Sequence, residues 1–227
     1  MDAVHKGIQN PDDTKQAARM VEAVQGRAPL RMLRRVRRNP LGRKLLAEKP
    51  DLLAALQDAQ WLASLPEGTL GRSYYEFCRR EKLTPGGLYK AVEDGFDRER
   101  FEMLGEDEKF LQMWMRDTHD LFHVVTGYQT DLLGEISVLA FSAVQTRNPG
   151  VWFMVLAGAC ILAQRRMINP TLLMGALRMG IRARNVVVTD WKGMLSLPLE
   201  EVRNRLNITP APAYVPLYTS LVRMEVA

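Results

Sequence analysis

The chain has 227 residues, of which 47% are hydrophobic and 25% are charged, and its formal net charge is +5. This is the composition of an ordinary globular protein with enough length for a substantial core, and we expect one domain. Cys78 and Cys160 fall in predicted helices with apolar neighbours and lack metal-ligand spacing, which argues against a disulfide framework and fits a reducing compartment.

The first thirteen residues are polar and carry both signs of charge. They lack the apolar stretch and the small-residue cleavage site of a secretory signal peptide. We therefore expect a cytoplasmic protein.

A basic segment follows, with eight basic residues and no acidic one between residues 27 and 44. Leu30, Leu33 and Val36 recur every three positions among its arginines, so the segment is amphipathic. Such a run is most often a solvated helix face, but it also suits anionic lipid headgroups. We favour peripheral membrane contact, at the inner face of the cell membrane, and expect no nucleic acid, because no motif or aromatic interleaving supports it.

Apolar periods near 3.6 predict helices at residues 12–25, 41–47, 52–61, 71–82, 171–184 and 198–206. Only Val186–Thr189 resembles a strand, and it has no evident partner, so the predicted fold class is all-α, a single-domain multi-helix bundle. We expect a polar N-terminal segment (1–28), a helical domain (29–208) and a proline-rich C-terminal strap (209–227). Residues 93–109 are dense in both signs of charge and predict a solvated connection.

The stretch Val151–Ala163 has thirteen residues without a charge. As a helix it would span roughly 20 Å, too short to cross a bilayer core of roughly 30 Å, so it predicts a buried helix. A sharper alternative is an apolar channel for an isoprenoid tail, lined by this helix together with Leu132, Leu133, Val138, Leu139 and Phe141.

The chemistry concentrates in residues 116–123, which hold two of the three histidines of the chain. In a helix over residues 107–126, His119 and His123 lie about 40° apart, and Asp120 and Arg116 fall inside the same arc of about 100°. One face of this helix therefore carries four polar groups.

Gly127 can end this helix, and Thr130 or Asp131 can cap a second one from about residue 131 to 147. In the resulting antiparallel hairpin Glu135 faces the histidine pair. Two imidazoles with one or two carboxylates suit Zn²⁺, Fe²⁺ or Mn²⁺ and leave positions open for water or substrate. The alternative is a pair of hydrogen-bonded helix histidines without a metal.

Several enzyme classes are disfavoured. The chain has no GxxxxGK[ST] loop, no GxSxG elbow and no GxGxxG after a strand. A metalloprotease helix needs Glu after its first histidine, where this chain has Asp120, and a His-Asp phosphohydrolase needs a further histidine upstream, whereas His5 lies in the polar leader.

The His-Asp-x-x-His motif followed by Glu135 resembles the signature of the Coq-four-type ubiquinone biosynthesis family. The segment Leu65–Gly71 with Tyr74 resembles the stretch before that motif, and the resemblance covers roughly residues 40–212. It continues through Gly134, Gln145, Trp191, the run Glu200–Arg203 and Leu206.

This resemblance implies a divalent metal, zinc or iron, held by His119, Asp120, His123 and Glu135, although Asp120 is also suited to orienting His123 from outside the ligand set. It implies decarboxylation of a polyprenylated hydroxybenzoate, oxidative or not, within a membrane-associated complex of ubiquinone biosynthesis proteins. Whether the chain forms a homodimer is left open.

The residues assigned to catalysis are Arg116, Asp120 and Glu135, and those assigned to substrate binding are Arg116, Leu139 and Phe153. The chain departs from the family pattern at Leu139 and Ser142, where members usually carry a lysine and a glutamate. The alternative function is a non-catalytic scaffold that binds a prenyl lipid and neighbouring biosynthetic proteins.

Overall fold

The computed structural model describes residues 14–83 and 101–218, with side chains described from Arg19 onward. These residues are predominantly α-helical, which confirms the predicted fold class. In chain order the helices are α1 (Thr14–Gln25), α2 (Ala28–Arg38), α3 (Pro40–Glu48), α4 (Leu52–Gln57), α5 (Ala59–Ser64), α6 (Leu70–Glu81), α7 (Glu106–Asp117), α8 (His119–Thr126), α9 (Leu132–Thr146), α10 (Pro149–Gln164), α11 (Pro170–Arg182), α12 (Trp191–Met194) and α13 (Leu199–Leu206).

A polar side chain caps the N-terminus of most of these helices. Asn39, Thr69, Asp131, Asn148 and Asn169 each accept a backbone N–H of the first turn, which satisfies a donor that the helix cannot. The polar residues that precede these helices thus act as N-terminal caps.

Helix α9 lies at the centre of the bundle and packs against α10 and α11. Val138, Ala140 and Phe141 on α9 are fully buried. A Cβ atom at Gly180 would come within 2.7 Å of the Phe141 carbonyl oxygen, so the glycine lets α11 approach the backbone of α9 closely. The helix that carries Glu135 is therefore held on two sides.

The strand prediction and two of the helix predictions were wrong. Residues 186–188 form a 3₁₀ turn instead of a strand, and all three valines are buried. Two of their carbonyls accept hydrogen bonds from tryptophans: Trp114 Nε1 donates to the Val187 carbonyl, and Trp191 Nε1 donates to the Val186 carbonyl. The predicted helix over residues 52–61 is two helices, because Asp58 ends α4 and caps α5.

The predicted helix over residues 107–126 is also interrupted. Its two parts, α7 and α8, meet at Thr118, whose hydroxyl donates to the Met115 carbonyl. This local bond competes with the helical ladder. The two histidines nevertheless share one unbroken helix, α8.

Helix α10 is confirmed as a helix, but its predicted burial was wrong. Gly150, Val155 and Leu162 are its buried residues, while Leu156 is 61% exposed. The helix packs against α1 and α9 with one side only. An apolar sequence does not by itself mean that a helix is buried on all sides.

The terminal segments contact the helical domain. Helix α1 packs against α10, and α2 buries Met32, Leu33 and Val36 while Leu30 and most of its arginines are exposed. Residues 209–218 form no helix, as their prolines predict. Residues 93–100 of the predicted connection at 93–109 lie outside the described residues, and α7 begins within the rest at Glu106. Among the described residues, none of the helices is both long and apolar enough to cross a membrane.

Candidate metal centre

His119 and His123 lie one turn apart on α8, and their rings meet edge to face with centroids 5.1 Å apart. Helix α8 ends at Gly127, whose φ of 77° lies in the left-handed region that glycine adopts without strain. The spacing of four residues thus brings both imidazoles to one face, as the sequence predicts.

Glu135 lies in the first turn of α9, where its carboxylate meets both histidines. Its Oε1 is 3.4 Å from His123 Nε2, and its Oε2 is 3.5 Å from His119 Nε2. One ligand atom from each of the three residues lies within 4.8 Å of the other two. The three residues therefore form a group close enough together to hold one metal ion. Helices α8 and α9 contact each other, while their antiparallel orientation stays a prediction.

The His123 ring is held on two sides. It stacks on Phe77 at a centroid distance of 5.7 Å, and its Nδ1 lies 3.1 Å from the Tyr128 carbonyl oxygen. Because a carbonyl only accepts, Nδ1 carries the proton in this contact, which leaves the lone pair on Nε2. Nε2 is buried and has no hydrogen-bond partner among the described residues. A buried nitrogen with a free lone pair beside a carboxylate is what a metal ligand requires, so these residues fit a divalent ion.

The histidines and the glutamate of this group shift each other's pKa values. Burial acts to lower the pKa of the His123 imidazole, but the Glu135 carboxylate, the Tyr128 carbonyl and the Asp120 charge together outweigh burial, and the pKa lies above its ordinary value. Desolvation acts to raise the pKa of the Glu135 carboxyl, but the two histidines hold it well below its usual range. The carboxylate is therefore ionised at neutral pH, as a metal ligand must be.

Arg203 stabilises the end of the histidine helix. Its guanidinium donates to the carbonyls of Val124 and Val125, at 3.1 and 3.0 Å, in the last turn of α8. A cation at a helix C-terminus satisfies carbonyls that lack helical partners. The position belongs to the run that carries the family resemblance, but the sequence did not show this role.

Asp120 stands outside the group of three. The charge of Asp120 acts on α6, where burial first and then this carboxylate raise the pKa of Cys78 to about 11. It acts in the same direction on the pKa of the buried Tyr74 hydroxyl. The predicted ligand role of Asp120 stays a prediction.

Arg116 lies in the last turn of α7, where its Nη2 is 2.7 Å from Asp117 Oδ1. Burial raises the pKa of the Asp117 carboxyl even though the Arg116 charge opposes that shift. Arg116 thus already holds one carboxylate, and the residue also lines a pocket.

This pocket has a volume of about 280 Å³ and reaches the metal group at His119. Leu139, Phe122 and Val151 form part of its mostly apolar wall. Ser142 also lines it, so both departures from the family pattern lie in one cavity. Phe153, the other predicted substrate-binding residue, is half-buried on α10 and does not line this pocket.

Much of the remaining wall comes from three other helices. Helices α1 and α2 and the C-terminal half of α7 supply Val21, Glu22, Gln25, Ala28, Pro29, Met32, Gln112 and Met115. No motif marks these residues. Of the five residues predicted to line a channel with the apolar run, Leu139 lines this pocket, whereas Val138 and Phe141 are fully buried in the core.

The fold and the site define a helical protein in which two histidines and a glutamate converge beside an apolar pocket. Residues 2–212 match the family of coenzyme Q (ubiquinone) biosynthesis protein Coq4, and the chain belongs to this family. The family places the chain among the proteins of ubiquinone biosynthesis.

Two relatives show the extent of the similarity. The mitochondrial ubiquinone biosynthesis protein COQ4 homolog of Danio rerio is 29% identical over 212 residues, which cover 90% of this chain and 73% of that protein. The homolog of Bos taurus is 32% identical over 195 residues, which cover 84% and 69%.

The fold also matches a crystal structure, that of a putative ubiquinone biosynthesis protein from Nostoc punctiforme PCC 73102. The TM-score is 0.67 at 22% sequence identity, over 90% of this chain and 94% of the other. At this identity the match concerns the fold alone.

Proposed function

We propose that the chain is a metal-dependent carboxy-lyase of ubiquinone biosynthesis that removes the carboxylate of a polyprenylated hydroxybenzoate. One observation carries this proposal: His119 belongs both to the group of ligand atoms and to the wall of the apolar pocket. A substrate with a polar ring and an apolar tail matches such a junction.

His119, His123 and Glu135 would hold the metal ion. Two imidazoles and a carboxylate are the donors that zinc and non-haem iron both accept, and they leave coordination positions open. When bound, a divalent ion supplies positive charge that stabilises the negative charge developing as carbon dioxide leaves. Asp120 either completes the ligand set or orients the imidazoles from the α6 side.

The other residues act on the substrate directly. Arg116, at the pocket wall, is placed to attract the ring carboxylate in addition to Asp117. Leu139 and its apolar neighbours exclude water from the tail and from the reacting ring. In a non-oxidative reaction the ring carbon takes up a proton in place of carbon dioxide, whereas an oxidative reaction needs a redox-active ion and dioxygen.

Helix α2 supports peripheral membrane contact. Its Ala28, Pro29 and Met32 line the pocket, while its Arg31 and Arg34 are exposed. A basic face next to the pocket suits a protein that takes a lipid-tailed substrate from an anionic surface. Other ubiquinone biosynthesis proteins and a second copy of the chain are further proposed partners.

The second candidate is a scaffold that binds a prenyl lipid without turnover. It is favoured by Leu139 and Ser142, which put two uncharged side chains in the pocket wall where the family usually has a lysine and a glutamate. In this case the metal ion would hold α8 and α9 together.

Metal analysis of the purified protein is the first test. We expect near-stoichiometric zinc or iron in the wild type and none in the double variant His119→Ala, His123→Ala. Iron would favour oxidative ring chemistry, and zinc would favour non-redox decarboxylation or the scaffold. A wild type that binds no divalent ion overturns the proposed site.

Glu135→Gln separates the enzyme from the scaffold, with turnover measured on a prenylated hydroxybenzoate after metal loading. If the site is catalytic, turnover falls by two orders of magnitude or more while the melting temperature changes little. If the metal is structural, the melting temperature falls and complex assembly is lost. Glu48→Gln, at a carboxylate that is 58% exposed on α3, is the matched control.

A further inference from the structure

The loop between α8 and α9 determines how two of the three proposed ligands are held. Its Tyr128 carbonyl accepts the His123 Nδ1 contact at 3.1 Å. Its last residue, Asp131, caps the N-terminus of α9, and the Asp131 carbonyl accepts the backbone N–H of Glu135 at 2.8 Å. A shift of this loop would therefore change both the orientation of the His123 ring and the backbone position of Glu135.

The C-terminal strap, residues 209–218, is hydrogen-bonded along this loop. Tyr214 Oη donates to Asp131 Oδ2 at 2.6 Å and accepts the Gln129 backbone N–H at 2.9 Å. Leu217 N–H donates to Asp131 Oδ1 at 2.8 Å, and the Leu132 N–H donates to the Leu217 carbonyl at 2.9 Å. Near the end of α8, the Ala211 N–H donates to the Thr126 carbonyl.

Asp131 is the centre of this network. Its side chain is buried, and its two oxygens accept from the Leu133 N–H of its own helix as well as from the strap. An ordinary helix cap needs only the first of these contacts. The additional contacts tie the cap to a segment some 80 residues further along the chain.

We propose that the strap positions the metal centre, with Tyr214 and Asp131 as its positioning residues. This inference rests on the proposed function, because it takes the group of His119, His123 and Glu135 as a metal site. Tyr214 is not one of the proposed ligands and does not line the pocket, and it acts through the loop. The strap thereby makes the affinity for the ion depend on the C-terminal segment.

Tyr214→Phe is the main test, because it removes one hydroxyl that both donates and accepts in this network. Groups that orient metal ligands from outside the ligand set typically change affinity by about 10–100-fold when they are removed. We expect Zn²⁺ affinity, measured by competition with a chromophoric chelator, to fall by about tenfold. We also expect the visible spectrum of the Co²⁺-loaded protein to change, which a merely structural contact would not cause.

Two further variants complete the experiment. Tyr218→Phe removes the same hydroxyl from a strap residue that is 46% exposed, and it should leave both readings at wild-type values. Asp131→Asn keeps an oxygen for the two N–H donors and remains a good helix cap, but it removes the charged acceptor of Tyr214. It should change the Co²⁺ spectrum in the same direction, and it serves as the test if Tyr214→Phe does not fold.

The outcomes separate this inference from the proposed function. If the wild type binds Zn²⁺ and Tyr214→Phe binds it equally well with an unchanged Co²⁺ spectrum, the strap does not position the centre while the metal site stands. A lower melting temperature of the metal-free variant with unchanged affinity also shows that the strap does not position the centre. If the wild type binds neither ion, both proposals are overturned.

Discussion

His119 lies between two regions of opposite character. On one side, the metal group and its loop are held by hydrogen bonds whose partners are fixed atom by atom, as at His123 and Asp131. On the other side, the pocket is bounded mostly by apolar side chains from α1, α2, α7, α8, α9 and α10, which are held by packing. The first region depends on directions and single atoms, whereas the second depends on volume.

This difference predicts that the two regions can be disturbed separately. A change of backbone position near the loop should affect metal binding, and a change of side-chain volume in the pocket should affect the substrate tail. Two substitutions test this separation, and a third tests the ion pairs that tie a helix of the pocket wall to α7.

The largest effect is expected at Gly134, beside Glu135. A Cβ atom there would lie 1.9 Å from the Gln129 carbonyl oxygen and 2.6 Å from Tyr214 Oη. The loop must move, so Gly134→Ala should lower the free energy of unfolding by about 1–3 kcal/mol, as overpacking does, and should weaken metal binding. Chemical denaturation and chelator competition measure the two effects.

Gly175→Ala on α11 is the control for that substitution, because the nearest atom to its Cβ would be 3.8 Å away. Alanine is the better helix former, so this variant should be as stable as the wild type or more stable. Equal stability of the Gly134 and Gly175 variants would show that the loop is not as constrained as its contacts indicate.

A moderate effect is expected at Leu139 in the pocket wall. Leu139→Phe narrows the pocket and replaces none of the proposed ligands, so the KM for a long-tailed substrate should rise about tenfold, the scale of small volume changes in apolar pockets. Zn²⁺ affinity should stay at the wild-type value. Leu156→Phe makes the same change at a side chain that is 61% exposed on α10, and it should alter neither quantity. An altered Zn²⁺ affinity in Leu139→Phe would show that the pocket and the metal site are not independent.

The smallest effect is expected at Asp107, which ties the pocket-wall helix α2 to α7. Its carboxylate pairs with Arg37 at 2.9 Å and Lys49 at 3.3 Å, and Arg37 first, then Lys49, hold the pKa of Asp107 below its ordinary value of 3.8. A carboxyl group whose pKa is lowered in the folded state stabilises the fold above pH 3.8. This contribution is lost as the pH falls through the pKa that the group has in the folded state.

Asp107→Asn should therefore lower the free energy of unfolding by less than about 1 kcal/mol at pH 7, because the pair is near the surface. The difference from wild type should shrink on acidification below the ordinary pKa of the carboxyl. Denaturation curves at both ends of this range measure it, with the neighbouring Glu106→Gln as control. A difference that does not depend on pH would exclude the ion pairs as its cause.

The metal centre was largely predictable because its geometry is local. The spacing of His119 and His123 fixes a shared face once the segment is helical, and Gly127 with Asp131 marks the turn that returns Glu135 to that face. Asp120 shows the limit of this reasoning: the same helical arc placed it with the histidines, but it stands outside their group. An arc of about 100° locates a side chain on a helix but not the atoms around it.

The sequence by itself determined the helical class, most helix ends, and the pair of histidines with their glutamate, because periodicity and capping act over a few residues. Only the tertiary structure decided that Tyr214 reaches Asp131, that α2 forms a wall beside His119, and that α10 leaves Leu156 exposed. These features depend on which surfaces of distant segments meet. That choice is made by packing of the whole chain, and a local pattern does not contain it.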